Sequence, residues 1–138
     1  MDNIITLFKL ILFLETALIT PVPITIDGEW VSIKPEKSLE AITGGAAIYI
    51  DVTKYLKPLE FGDESNRLAD GIIEGKLIQK NGNEIALINT GESHSNESVR
   101  SIVSSSKPVP TDVEFVEVKL KSQSVFKNVN VYWKNGKH

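Results

Sequence analysis

The stretch from residue 72 to residue 89, IIEGKLIQKNGNEIALIN, places an Asn-Gly pair at positions 81 and 82 between two apolar runs. Asn-Gly supplies the positive φ angles that a tight hairpin turn requires, so the stretch predicts two antiparallel strands at 72–79 and 84–89. Both runs carry apolar residues at odd and even positions, which is typical of a strand covered on both faces.

Strand patterns continue on either side of this hairpin. Residues 46–52 alternate between apolar and polar side chains, and Asp27-Gly28 predicts a second hairpin joining 24–26 to 29–33. The chain ends in two further predicted strands, 113–121 and 125–133. In the last of these the alternation predicts one face made of Val125, Val129, Val131 and Trp133, and another made of Phe126, Asn128, Asn130 and Tyr132.

Two segments after the central hairpin, 90–97 and 98–106, lack a clear strand pattern. The polar residues 90–97 predict a flexible loop after the central hairpin. Residues 98–106 fit either a strand or a short helix.

The N-terminal segment, residues 4–26, is very apolar and resembles a signal peptide or a membrane span. Asp2 is acidic, however, and Lys9 and Glu15 interrupt the apolar run. The longest uninterrupted part, residues 10–14, is far shorter than the ~20 residues that a spanning helix needs. The sequence therefore predicts no membrane span, but a short buried helix at 3–14 followed by a strand near 16–20, with export as the alternative.

These patterns predict a mostly β fold: an antiparallel β-sandwich, or an open barrel, of about seven or eight strands with one N-terminal helix. A chain of 138 residues can bury about two-thirds of its unfolded surface in one core. A single β-rich domain over residues 1–138 is expected.

Composition excludes several classes of site. The chain has no cysteine, which excludes disulfides and thiolate metal sites and agrees with a cytoplasmic location. A net charge of -3 argues against a general nucleic-acid-binding protein. The charge is uneven, because residues 119–138 hold five lysines and no acid, whereas residues 1–118 hold 10 basic and 18 acidic residues, a balance of -8. The lysines form either a binding surface or a solvated strand face that protects a sheet edge.

No motif for catalysis, a metal or a cofactor stands out, and none of the three is predicted. His94 follows Gly91-Glu92-Ser93, which begins like the nucleophile elbow of hydrolases, but Ser95 replaces the second glycine. A surface histidine in a loop is the expectation. Several oxygen ligands for calcium occur in one predicted loop without the regular spacing of a calcium motif: Asp63, Glu64, Ser65, Asn66 and Asp70.

Three functional classes follow, in order of preference. The first is a non-enzymatic protein-binding domain, an immunity-type inhibitor that binds and neutralises a basic partner such as a bacterial nuclease toxin. The second is a ligand-binding β-sandwich, for carbohydrate or calcium, in a phage or cell-surface assembly. The third is an enzyme of unfamiliar type centred on His94. The first class predicts partner contacts at Glu60, Asp63, Glu64, Asp70 and Tyr132.

Overall fold

The computed structural model describes residues 16–56, 68, 72–95 and 97–135. This part of the chain contains eleven β-strands and no helix. The strands are β1 (Ala17–Leu18), β2 (Ile24–Ile26), β3 (Val31–Ile33), β4 (Leu39–Glu40), β5 (Ala47–Asp51), β6 (Ile73–Gln79), β7 (Glu84–His94), β8 (Val99–Ser104), β9 (Glu114–Ser122), β10 (Phe126–Val129) and β11 (Val131–Lys134).

Nine of these strands form one antiparallel sheet in the order β1-β11-β5-β8-β7-β6-β9-β3, with β4 also paired to β9. Since β3 and β4 pair with different parts of β9, the nine strands occupy eight positions. No strand pairing in the described residues joins β1 to the β3–β4 edge, so the curled sheet is an open half-barrel. β10 and β2 form a separate two-stranded sheet.

The core lies inside the curl because one face of every strand turns inward. In the register of the sheet, Ile48 pairs with Val103 and with Trp133, and Leu77 pairs with Val118. All of these side chains are buried, whereas their neighbours along each strand face outward. The small sheet contributes to the same core through Ile26, Phe126 and Val129.

The central hairpin is confirmed. β6 and β7 pair antiparallel, and Gly82 at the turn has a φ of 92°, a conformation that glycine adopts without a steric penalty. The strand at 46–52 is confirmed as β5, the strand near 16–20 as β1, and the ambiguous segment 98–106 contains the strand β8.

The hairpin at Asp27-Gly28 is wrong. β2 pairs with β10 in the small sheet, whereas β3 pairs with β9 in the half-barrel. The Asp27 carboxylate accepts a hydrogen bond from the Glu29 backbone at 3.0 Å, so this dipeptide forms a local turn that carries the chain from one sheet to the other.

The single long strand at 125–133 is also wrong, because Asn130 separates β10 from β11. Asn128 has a positive φ of 54°, which breaks the alternation of side chains at this point. Phe126 is therefore buried with Val129, while Val125 is 53% exposed, so the predicted faces are exchanged at these first two residues. Val129, Val131 and Trp133 are buried together as predicted.

The fold class is confirmed in its broad form, a mostly β antiparallel protein. Of the two architectures predicted, the structure forms the open one, because nine of the eleven described strands belong to one curled sheet whose two edges are not paired with each other. The predicted helix at 3–14 lies outside the described residues.

Candidate functional site

The four acidic residues predicted to contact a partner all belong to the segment that joins β5 to β6, residues 57–71. Glu60, Asp63, Glu64 and Asp70 lie outside the described residues, as do the possible calcium ligands around them. The sequence predicts that this segment is a loop, and we call it the acidic loop. What the structure shows is how the described residues Tyr55, Leu68 and Ile72 hold its two ends to the sheet.

The first attachment lies just before the acidic loop. The Tyr55 hydroxyl donates to the Lys127 backbone oxygen at 3.0 Å and accepts from the Lys127 backbone nitrogen at 2.6 Å. The Tyr55 ring also meets Phe126 edge to face, with ring centroids 5.1 Å apart. These contacts fix the start of the loop to β10.

The second attachment lies near the end of the acidic loop. The Leu68 backbone nitrogen donates to the Glu92 carboxylate on β7, and the Gln123 nitrogen donates to the Ile72 oxygen at 3.0 Å. The sites of attachment are all at the end of the half-barrel where β5 and β7 finish and β6 begins. A loop that is fixed at both ends to a rigid sheet is a common carrier of binding residues.

Glu92 is itself held inside the half-barrel. Its carboxylate lies 2.9 Å from His94 Nε2, and the side chains of Glu92 and His94 are only 3% and 19% exposed. Glu92 pairs in register with Ser101 and His94 with Val99, so both side chains turn inward. The pair therefore lies at this end of the core, beside Leu68.

The prediction of a flexible loop at 90–97 is wrong, because β7 continues to His94. A β-bulge between Asn89 and Gly91 allows the strand to continue past the polar residues. The buried Asn89 side chain holds the bulge by donating to the Gly91 and Ile102 oxygens at 3.2 and 3.1 Å and to the Ser101 hydroxyl at 2.6 Å.

The path of β7 also determines how Ser93 and His94 are placed for the alternative of an enzyme centred on His94. Ser93, the residue at the position of a hydrolase nucleophile, pairs with Arg100 and turns to the outer face, opposite His94. A histidine base and a serine nucleophile must be within hydrogen-bonding distance of each other, and adjacent residues of one strand are not arranged in this way. His94 contacts the Glu92 carboxylate instead.

Replacing Glu92 with alanine should loosen the acidic loop, because the Leu68 nitrogen then loses its acceptor. Trypsin can cut the loop at Arg67-Leu68, since Lys57 is followed by proline. We expect roughly tenfold faster cleavage at Arg67, consistent with the loss of one hydrogen bond to a charged group. The measurement is limited proteolysis followed by mass spectrometry. The exposed Glu97, replaced in the same way, is the control and should leave the cleavage rate unchanged.

Tyr132, the fifth predicted contact residue, lies half-buried on the outer face of β11. The Arg100 guanidinium lies 4.2 Å from the centroid of its ring, and Tyr49 is its cross-strand neighbour. The ring is thus partly covered by a cation–π contact within the chain. Tyr132 thus lies on the outer face of the sheet, whereas Glu92, which accepts the hydrogen bond from Leu68, turns to the inner face.

One of the lysines near the C-terminus, Lys121, and Lys76 of β6 are each paired with a glutamate on the sheet. Lys121 lies 3.4 Å from Glu74 and Lys76 lies 3.5 Å from Glu84, both across neighbouring strands. The two ammonium groups also lie 4.7 and 4.6 Å from the ring centroid of Trp30, which is 38% exposed on the outer face. No local pattern in the sequence indicates this cluster, because Trp30 precedes β3 and the other members lie on β6, β7 and β9.

A second feature that the sequence did not indicate is a cavity of about 750 Å³ between the two free edges of the half-barrel, which we call the seam cavity. Two hydrogen bonds cross the seam beside it. Trp133 Nε1 donates to the Glu40 oxygen at 3.3 Å, and the Ile42 nitrogen donates to Asn135 Oδ1 at 2.7 Å. Side chains thus join the two edges where strand pairing does not.

Within the described ranges, no three histidine or carboxylate side chains are grouped closely enough to hold a metal ion. The same residues include no helix long and apolar enough to cross a membrane. Comparison of the chain with models of protein families, with curated proteins and with solved structures finds no match.

Proposed function

We propose that this chain is a non-enzymatic protein-binding domain that acts in the bacterial cytoplasm as an immunity-type inhibitor, neutralising a basic partner such as a nuclease toxin. The observation that carries the proposal is the attachment of the acidic loop at Tyr55, Leu68 and Ile72 to one end of the half-barrel. Four carboxylates on a loop fixed in this way offer a negatively charged surface to a cationic partner.

The charge pattern of the sheet supports the same function. Lys76, Lys80 and Lys121 each lie within 3.5 Å of a glutamate on the sheet. Because these lysines are matched locally, they add little positive potential that would oppose the acidic loop at long range. The local pairing of these three lysines therefore leaves the acidic loop available to steer a basic protein.

Neutralising the acidic loop should weaken binding of a basic nuclease toxin encoded beside this gene. The variant replaces Glu60 and Glu64 with Gln, and Asp63 and Asp70 with Asn. We expect at least about a tenfold loss of affinity at low salt, mainly through slower association, because removing interface charges chiefly lowers the association rate. Surface plasmon resonance at two salt concentrations measures both rate constants.

The control removes the same number of charges elsewhere, from four exposed acids of the described part of the chain: Glu29, Glu36, Glu97 and Asp112. Its affinity should stay within about threefold of the unmodified chain, since only the general field changes. Equal losses in both variants would exclude the acidic loop as the contact surface. Absence of any complex at micromolar concentration would exclude the inhibitor function itself, and calorimetry with calcium chloride and a glycan panel would then test the ligand-binding alternative.

A further inference from the structure

The seam cavity lies at the end of the half-barrel opposite the acidic loop, where β5 and β9 begin and β11 finishes. Its deepest lining residues are nearly buried, namely Ile19, Leu39, Ala41, Trp133 and Asn135. A volume of about 750 Å³ falls within the ~300–1,000 Å³ usual for small-molecule sites. The cavity therefore has the size and depth of a ligand site.

Two polar atoms of the cavity floor are already paired with the protein. The indole nitrogen of Trp133 and the amide oxygen of Asn135 are both used in the bonds that cross the seam. The side chains deep in the cavity thus present mainly aliphatic and aromatic surface to a ligand. Directional recognition of a polar body, as in a sugar, would need free donors and acceptors at this depth.

Two large apolar side chains at the cavity remain open to water. Leu18 is 53% exposed and Ile42 is 38% exposed, and both line the cavity from opposite edges of the seam. Apolar surface gathered at a concave site marks a place where burial by a ligand is favourable. The rim nearby carries two exposed glutamates, Glu36 and Glu40, and one exposed lysine, Lys37.

We propose that the seam cavity binds the unbranched alkyl chain of a small amphiphile whose head group is cationic. The alkyl chain lies against Trp133, Leu39 and the exposed walls formed by Leu18 and Ile42. The head group stays at the rim, where the two glutamates outnumber the lysine and favour a positive charge. This site is separate from the acidic loop, so the proposal does not depend on the inhibitor function.

The test titrates the intact chain with alkyltrimethylammonium salts from octyl to dodecyl, each below the concentration at which it forms micelles. Calorimetry gives the affinity, and emission from Trp133 in a Trp30→Phe background reports the location. We expect the affinity to rise about fourfold with each added methylene, and the Trp133 emission to shift. Alkanoates of the same lengths should bind more weakly at low salt.

A pair of variants with matched exposure completes the design. Leu18→Gln with Ile42→Gln removes the apolar walls and should weaken dodecyl binding about tenfold. The control is Val125→Gln with Val116→Gln, because these valines are exposed to the same extents, 53% and 38%, outside the cavity. The proposal is overturned if affinity does not depend on chain length, if alkanoates bind as well as the ammonium salts, or if the two double variants bind equally.

Discussion

Replacing Phe115 with alanine should lower the free energy of unfolding by about 3–5 kcal/mol, the largest effect expected for one substitution in this chain. Phe115 is fully buried, and among the fully buried side chains of the described residues it has the greatest volume. It lies on β9 between its register partners Leu39 of β4 and Gln79 of β6, with its ring 6.1 Å from that of Trp133. Alanine would leave a cavity where the sheet edge, β9 and the seam meet.

Urea unfolding followed by circular dichroism measures this change in the free energy of unfolding. If the slope of that free energy against urea concentration is unchanged, the folded and unfolded states differ in exposed surface as they do in the unmodified chain. A loss of this size is a large share of the ~5–15 kcal/mol that a domain of this kind usually has. Phe115→Leu should cost less, because it keeps most of the apolar volume. Val116, the extra residue of the bulge on β9 and 38% exposed, is the control, and Val116→Ala should cost under about 1 kcal/mol. A cost below 1 kcal/mol for Phe115→Ala would contradict the position of its ring in the core.

The parts of the fold that the sequence predicted are those decided by neighbouring residues. The Asn81-Gly82 turn specifies its own hairpin because the two strands that it joins are only a few residues apart. The strand β5 is equally local, since from Ile48 to Asp51 buried residues alternate with half-buried ones. Such signals do not depend on where the rest of the chain lies.

The errors lie where pairing over a long distance overrides a local pattern. Asp27-Gly28 has the composition of a hairpin turn, yet each flanking strand finds its partner about a hundred residues away, at β10 and β9. The polar residues after Asn89 have the composition of a loop, but Asn89 stabilises a bulge beyond which β7 continues to His94. Neither partner is visible in the short window that a sequence pattern covers.

In the candidate site, too, features set by neighbouring residues were predictable and features set by distant residues were not. The acidic residues of the loop are evident from the sequence, whereas the attachment of Leu68 to Glu92 joins residues 24 positions apart. The seam cavity is more distant still, since the hydrogen bonds beside it join residues 93 positions apart. A concave site whose lining comes from both ends of a chain leaves no local signal in the sequence. The composition of the sequence therefore indicated only the charged residues of the acidic loop.

Gly75→Val should lower the free energy of unfolding by about 2–3 kcal/mol, although valine is the better strand former. Gly75 lies on the inner face of β6 between Leu87 of β7 and Leu120 of β9. A Cβ atom at this position would be 3.1 Å from Leu120 Cδ2 and 3.4 Å from two atoms of Leu87. Alanine needs only a small shift of the end of Leu120, so Gly75→Ala should stay within about 1 kcal/mol of the unmodified chain. The two further methyl groups of valine have no such space.

Gly28→Val is the matched control, because nothing lies within 4 Å of a Cβ atom at that exposed position. It should change stability by no more than about 0.5 kcal/mol in the same urea experiment. A second test combines Gly75→Val with Leu120→Ala. The double variant should be less destabilised than the sum of the two single changes, because the methyl groups of the new valine fill the space that the leucine leaves. Additive losses in this pair would mean that Gly75 is required for its backbone rather than for the space beside it. A Gly75→Val chain as stable as the original would show instead that β6, β7 and β9 do not approach each other as closely as this sheet requires.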